Sequence, residues 1–381
     1  MPQEKSPKKF FMTGGTGLIG LNLIPRLLHS SPNSTVTLLV RGNDEAEAAA
    51  RTRRIAESLQ RQWTIPGLPG RLLCIRGDVT LDDFGIERDV RERLMRETTH
   101  FIHGAATIRF DHPIGEARFI NCRGTERALA LAEQGLRDGP LQRFVYIGTS
   151  SVSGKRGGDI FEDELEMGQS FFNTYEQSKA ESERLVRNSM SRIPTVIFRP
   201  SIVIGDSRTG WTPTFNVIYI PLRLFDRGML AVLPASPDVT LDLVPVDWVT
   251  DVMVWIMGLA ASEGKVCHIT AGKHRSARLR DVIERAGRYF DACHPLPKPR
   301  TLEFVSPEEF GRRRAAVHGS ERTLLDQLDT LLPYISVDRL FDSRTTDGLL
   351  RESAITFPRF SDYADAIFGY CVKTRWGKTE G

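Results

Sequence analysis

The stretch TGGTGLIG, Thr13 to Gly20, follows the apolar run KFFM and runs directly into LIGLNLIPRLLHS, whose apolar residues recur at helical spacing. A glycine-rich turn between a buried strand and a helix narrows the choice of fold more than any other feature of the chain. Gly15, Gly17 and Gly20 fit the spacing G-x-G-x-x-G, and Gly14, Gly17 and Gly20 fit the wider G-x-x-G-x-x-G. Without β-carbons the backbone can turn sharply and let a pyrophosphate approach the unpaired N–H groups at a helix N-terminus. Gly14, Gly15, Thr16, Gly17, Leu18, Ile19 and Gly20 are therefore the expected phosphate loop.

The rest of the first 150 residues supports that context. TVTLLVRG, RLLCIRGDV, HFIHGAAT and RFVYIGTSS read as further strands, and EARFINCRGTERALALAEQG reads as a helix. Fully apolar strands separated by helices argue for a parallel sheet covered on both faces. A helix through Tyr175 to Met190, one strand in PTVIFRPSIVIG and a last strand in KVCHITAG follow. The expected architecture is α/β, a doubly wound parallel-sheet Rossmann fold with a smaller, mostly helical C-terminal lobe for substrate. Residues 1–204, completed by 236–275, would form the nucleotide-binding part, and 205–235 with 276–381 the substrate lobe.

Composition limits the partners. With 40% hydrophobic and 26% charged residues the chain reads as globular, and a net charge of +3 gives no reason to expect nucleic acid. The longest apolar run, Val252 to Ala261, is about half of a membrane span. Five scattered cysteines without CxxC spacing suit a reduced, cytoplasmic protein. The histidines, among them His112, His268, His274 and His294, lack metal-ligand spacing, so no metal is expected. A homodimer is left open.

The second strand bears on the dinucleotide. An NAD site usually has a carboxylate at that strand's tip for the ribose hydroxyls. Here the strand ends in Arg41, whose guanidinium suits the 2′-phosphate of NADP. Asp78, with Val79 beside it, follows the third strand and is either an adenine contact or a plain turn residue.

At the carboxyl end of the fifth strand stand Thr149 and Ser150, and about two dozen residues on comes YEQSK, with Tyr175 and Lys179 four apart. On a helix that spacing puts phenol and ammonium on one face, where the cation would lower the tyrosine pKa. A hydroxyl, a phenol and a lysine converging on one crevice can serve carbonyl reduction, because two donors stabilise the charge growing on oxygen and one supplies the proton.

Taken together, TGGTGLIG, the hydroxyl-bearing strand end, YxxxK, RPSIVIG and LVPVDWV resemble the extended short-chain dehydrogenase/reductases over about the first 275 residues. The resemblance implies Tyr175 as general acid, Lys179 bonding the nicotinamide ribose and lowering the phenol, and Thr149 orienting the carbonyl, with Ser150 as the alternative. It also implies cofactor contacts at Gly104, Ala105 and Ala106, at Asn121, and at Pro200 and Ser201. HGAATIRFDHPI, INCRGT and FRPSIVIGDSRTGW further resemble the fatty acyl-CoA reductase and carrier-protein thioester reductase branch. That branch implies NADPH-dependent reduction of an acyl-CoA or carrier-bound acyl thioester to aldehyde or alcohol; a simple aldehyde or ketone substrate is the neighbouring option. Two alternatives share the fold: an NAD-retaining nucleotide-sugar epimerase or dehydratase, and a non-catalytic NADP-sensing protein. Dehydratases of this fold usually carry an acid directly after the hydroxyl residue, where this chain has Ser150 and Ser151.

Three features stay two-sided. His103 is either structural or catalytic. Trp211, Phe215 and Tyr219 line an acyl channel or pack a second lobe. The basic run Arg312 to Arg314 is a solvated helix face or a contact for a phosphate-bearing carrier.

Overall fold

The computed structural model describes residues 7–30, 33–215, 217–298, 300–319, 326, 328, 332–335 and 337–379. The first half alternates strand and helix: β1 (Lys9–Thr13), α1 (Leu18–Ser30), β2 (Thr35–Val40), α2 (Glu45–Gln62), β3 (Leu72–Arg76), α3 (Arg88–Glu97), β4 (His100–His103), α4 (Ile114–Asp138) and β5 (Arg143–Ile147). It continues through β6 (Gly158–Ile160), α5 (Thr174–Ser189), β7 (Thr195–Pro200), β8 (Ile202–Ile204), α6 (Tyr219–Asp226), β9 (Leu243–Pro245), α7 (Val246–Met257) and β10 (Lys265–Ile269). The C-terminal part adds α8 (Leu279–Cys293), α9 (Pro307–Ala315), β11 (Arg339–Phe341), α10 (Arg344–Leu349) and α11 (Phe360–Lys373).

Seven strands form one parallel sheet in the order β10-β7-β5-β4-β1-β2-β3. The alternation of side chains along a strand explains its two dry faces. Phe10 and Met12 of β1 join Ile102, Val145 and Phe198 in one core, while Phe11 joins Phe101, Phe144 and Ile197 in the other. Each fully buried phenylalanine contributes about 1.5–3 kcal/mol, so an all-apolar strand has no stable exposed alternative. Strand order reverses between β1 and β4, which opens the crevice where ligands of such sheets bind.

The helix between β2 and β3 carries a weak apolar signal, yet Ala48, Thr52, Ile55 and Leu59 make a narrow buried stripe, and Asp44 Oδ1 caps it by accepting from Glu47 N–H at 2.7 Å. PTVIFRPSIVIG, expected as one strand, is two. β7 stays in the main sheet, whereas β8 leaves it to pair with β9. The break follows Pro200, which has no N–H to donate to a ladder: Ser201 N–H still reaches Ile269 O of β10 at 3.3 Å, and Ile202 N–H turns away to Asp242 O at 3.2 Å.

A second, smaller core gathers Leu222, Phe225, Leu279, Phe290, Ile367 and Phe368 from α6, α8 and α11. Phe215 and Tyr219 belong to its packing: their rings lie 5.4 Å apart, and Tyr219 Oη accepts from Gly205 N–H at 2.8 Å. Both side chains thus pack into this lobe, and Trp211 is half-buried. The chain then returns beside the main sheet and forms a separate two-stranded sheet there. β11 pairs in parallel with β6, and the buried Glu162 carboxylate accepts from His268 N–H at 2.9 Å and Thr345 N–H at 2.6 Å. Among the described residues, no helix is long and apolar enough to cross a membrane.

Candidate active site

The glycine turn sits at the strand-order reversal. Gly14 has φ +78°, and a β-carbon there would lie 2.5 Å from the Gly104 carbonyl carbon. A β-carbon on Gly20 would lie 2.4 Å from Gly14 O. The turn after β1, the start of α1 and the turn after β4 are therefore in backbone contact, and the wider spacing Gly14, Gly17, Gly20 is the register that describes it. Gly17 differs. A β-carbon there would meet only Gly14 O, at 3.6 Å, so packing does not require glycine at that position. Such a bare surface beside a helix N-terminus fits a dinucleotide pyrophosphate. Thr16 is exposed at the same turn, and Leu18 and Ile19 begin α1.

Around the tip of β2 the carboxylates already have partners. Asp44 caps α2, Glu45 pairs with Arg76 at 3.0 Å, and Glu47 pairs with Arg51 at 2.8 Å. Arg41 is exposed and makes no ion pair or hydrogen bond with the described residues. Asp78 spends one oxygen on its own turn, accepting from Thr80 N–H at 2.9 Å and Thr80 Oγ1 at 2.8 Å. Val79 is buried behind it, against Gly124.

The residues after β4 are held from two sides. Ala105 N–H donates to Thr13 Oγ1 at 3.2 Å, and that hydroxyl is itself hydrogen-bonded with His103 Nδ1 at 2.8 Å. Burial pushes the His103 pKa down to about 3, and the Lys179 charge adds to the effect. His103 is a neutral, buried brace for the turn. On the other side Asn121 Oδ1 accepts from Thr107 N–H at 2.8 Å. Ala106 lies between these anchors, half-buried.

Local rules place the tyrosine. Asn173 Oδ1 accepts from Glu176 N–H at 2.9 Å and starts α5 at Thr174, a cap worth about 1 kcal/mol. Tyr175 thus falls in the first turn and Lys179 one turn later on the same face. Thr149, just past the end of β5, lies close enough to the Tyr175 phenol to pull its pKa down, and its Oγ1 accepts from Ser151 N–H at 3.2 Å. Ser150 is 3% exposed at the start of the following turn. Lys179 Nζ donates to Ile147 O at 3.0 Å and lies 4.4 Å from the centre of the Tyr146 ring.

One expectation is corrected here. Proximity to Lys179 was to lower the phenol, but burial raises the Tyr175 pKa to about 12, with the Thr149 hydroxyl pulling the other way and Glu176 adding to the rise. The ammonium is directed at the β5 carbonyl and the Tyr146 ring, and burial lowers its own pKa to about 8. The phenol is consequently fully protonated at neutral pH.

Pro200 ends β7, and Ser201 donates through Oγ to Asp242. Asp242 is a buried acid that also accepts from Ala271 N–H at 2.7 Å and Gly272 N–H at 2.9 Å. Sequence reading missed Asp242, Thr13 and Ser178, none of which has a distinguishing local pattern. It also missed the signal in Asn173-Thr174-Tyr175-Glu176, a helix-start spacing that fixes where the tyrosine sits. The basic run behaves as a paired surface: Arg312 and Arg313 are tied to Glu309, Arg313 also to Glu303, and Arg314 to Asp326.

Comparison with known proteins agrees with this fold. A family profile described as Male sterility protein matches residues 12–253. Fatty acyl-CoA reductase wat of Drosophila melanogaster is 28% identical over 271 residues, covering 63% of this chain and 52% of that protein. The terminal R domain of the myxalamid PKS-NRPS pathway is 27% identical, with a TM-score of 0.83 over 99% of this chain and 93% of that one. A thiolation-reductase di-domain from an archaeal non-ribosomal peptide synthetase has a TM-score of 0.73 at 17% identity, over 97% of this chain and 76% of that one. The chain spans about half the length of the curated relatives it matches. It has the extended short-chain dehydrogenase/reductase fold of reductase domains. Because the profile runs from β1 into α7, across most of the parallel core, the chain belongs to the Male sterility protein family.

Proposed function

We propose that the protein is an NADPH-dependent reductase of acyl thioesters, acting on an acyl-CoA or a carrier-bound acyl group and releasing an aldehyde or alcohol. The observation that carries this reading is the placement of the Thr149 hydroxyl beside the Tyr175 phenol at the carboxyl end of β5, next to the strand-order reversal. Likeness to the myxalamid R domain supports the substrate class.

The phosphate loop from Gly14 to Gly20, with Gly104 and Ala105 opposite, would hold the dinucleotide, and Arg41 would take its 2′-phosphate. When bound, NADPH supplies hydride. Thr149 and Tyr175 would hold the carbonyl oxygen and donate to it as negative charge develops. A phenol near pKa 12 keeps its proton until an alkoxide forms, which suits a general acid. In the first reduction of a thioester, thiolate expulsion follows addition, so full proton transfer matters less than in aldehyde reduction. Lys179, anchored on Ile147 O, would orient the nicotinamide ribose. The lobe of 205–235 and 276–381 would select the acyl group.

The test is NADPH consumption against a panel of acyl-CoAs, carrier-bound acyl groups, aldehydes and ketones, with products identified. Turnover of a thioester to its aldehyde supports the reading. Turnover of ketones or aldehydes alone removes the thioester assignment, and a tightly retained NAD with sugar-nucleotide turnover would favour the epimerase reading.

A further inference from the structure

Arg312, Arg313 and Arg314 are engaged in ion pairs, whereas the charges of Arg339 and Lys155 act on Glu176, the residue after Tyr175. Arg339, the first residue of β11, is only 8% exposed, and its Nε and Nη2 are buried without a hydrogen-bond partner. These nitrogens share one edge of the guanidinium plane, the edge that grips two oxygens of a carboxylate or phosphate. Buried donors left unmade are rare and often mark a ligand. The guanidinium carbon sits 5.3 Å from the Phe172 ring centre and 5.6 Å from that of Tyr334. Lys155, exposed and outside any ion pair among the described residues, places Nζ 5.4 Å from the same Phe172 ring.

A wall of rings connects this edge to the phenol. Tyr334 lies 6.0 Å from Phe110, and Phe110 lies 5.6 Å from Tyr175. The nearby acid is Glu176, which accepts from Phe172 N–H at 3.0 Å through Oε2 and leaves Oε1 unpartnered. Two cations thus face one buried carboxyl, and the local balance favours an incoming anion. The parallel pairing of Arg339 with Gly158 fixes its backbone position, and Phe172 and Tyr334 flank its guanidinium.

We propose that Arg339 and Lys155 form an anion subsite that takes the phosphate of a pantetheine arm as the thioester reaches towards Tyr175. This rests on the thioester reading above. Coenzyme A and carrier proteins share the chemistry, since both attach the arm through a phosphate ester.

One acyl group is to be presented on N-acetylcysteamine, pantetheine, 4′-phosphopantetheine, CoA and a carrier protein. For wild type, the ratio of kcat/KM between the phosphopantetheine and pantetheine thioesters should be well above one. In Arg339→Gln and Lys155→Gln that ratio should fall about tenfold, through KM. A parallel fall for both thioesters would overturn the subsite and leave Arg339 as a countercharge for Glu176. Dependence on Arg339 with CoA alone would also overturn it, assigning the contact to the nucleotide phosphates. Arg339→Lys keeps charge but loses the fork, and guards against a variant that fails to fold; a smaller fall in the same ratio is expected. If wild type reduces no thioester, the reductase reading fails by itself. Calorimetry with 4′-phosphopantetheine then decides the subsite: binding lost in Arg339→Gln supports it, and no binding to wild type overturns it.

Discussion

Asn121 Nδ2 donates to Ser178 Oγ at 2.9 Å, which links α4 to the helical turn between Tyr175 and Lys179. Ser178 in turn donates to Tyr175 O at 3.0 Å, and the other end of the Asn121 amide holds Thr107. One buried side chain therefore sets the spacing between the turn after β4 and the phenol. Asn121→Ala should cost about 2–3 kcal/mol, since an unmade buried group costs roughly 1–3 kcal/mol, and kcat should fall with it. Urea unfolding and steady-state kinetics check both; unchanged values would show that the tie is dispensable.

Tyr175→Phe removes the proton donor while leaving the ring against Phe110. NADPH affinity should stay near wild type, and aldehyde or ketone reduction should slow by about 10²–10⁴, the usual worth of a placed general acid. The thioester step should slow less. Loss of NADPH binding would point instead to a structural tyrosine.

Arg41→Asp replaces the cation at the tip of β2, where the neighbouring acids are already paired. Charge-assisted hydrogen bonds are worth about 1.5–3 kcal/mol, so the NADPH-to-NADH preference should drop by roughly 10–100-fold. An unchanged ratio of kcat/KM values would mean that Arg41 does not touch the cofactor.

Two glycines of one turn should respond differently. Gly20→Ala drives a β-carbon to 2.4 Å from Gly14 O and should fail to fold or melt far below wild type. Gly17→Ala meets only Gly14 O, at 3.6 Å, so its melting temperature should hold while dinucleotide affinity falls. Equal losses of stability would refute a ligand-facing role for Gly17.

His100, His103 and His268 are each pushed down to about 3, chiefly by burial, against 6.5 for a free imidazole. Between pH 3 and 6.5 the unfolded chain binds more protons at these sites, so their contribution to stability is full above pH 6.5 and falls with pH below it. Each contributes a slope of about 1.4 kcal/mol per pH unit inside that window. Glu176 and Asp242, raised by burial, act in the opposite sense, so the comparison needs a variant. His100→Phe, beside Phe10 at 5.1 Å, should flatten the urea-midpoint profile between pH 4 and 6 by one proton's worth. A profile parallel to wild type would show that His100 titrates normally.

Much of the site could be read along the chain because its determinants are local. TGGTGLIG marks its own turn, apolar runs mark the strands, and four-residue spacing puts Tyr175 and Lys179 on one helix face. The split of PTVIFRPSIVIG was not legible, since Pro200 interrupts one ladder while β9, far along the chain, offers another. The direction of the Tyr175 shift was misread for a related reason. Spacing suggests a charge neighbour, but the ammonium is directed to Ile147 O and the Tyr146 ring, and burial sends the Tyr175 pKa up to about 12.

The sequence by itself determined the parallel sheet, the glycine turn after β1 and the order of hydroxyl, tyrosine and lysine, because strand burial, helix spacing and missing β-carbons act within a few residues. Tertiary structure alone decided which groups those elements meet. It brought Asn121 to Ser178, Ser201 to Asp242, and Arg339 to the ring of Phe172. Such pairings leave no periodic trace, and the protonation they impose comes from burial and fields that exist only once distant segments have closed around one crevice.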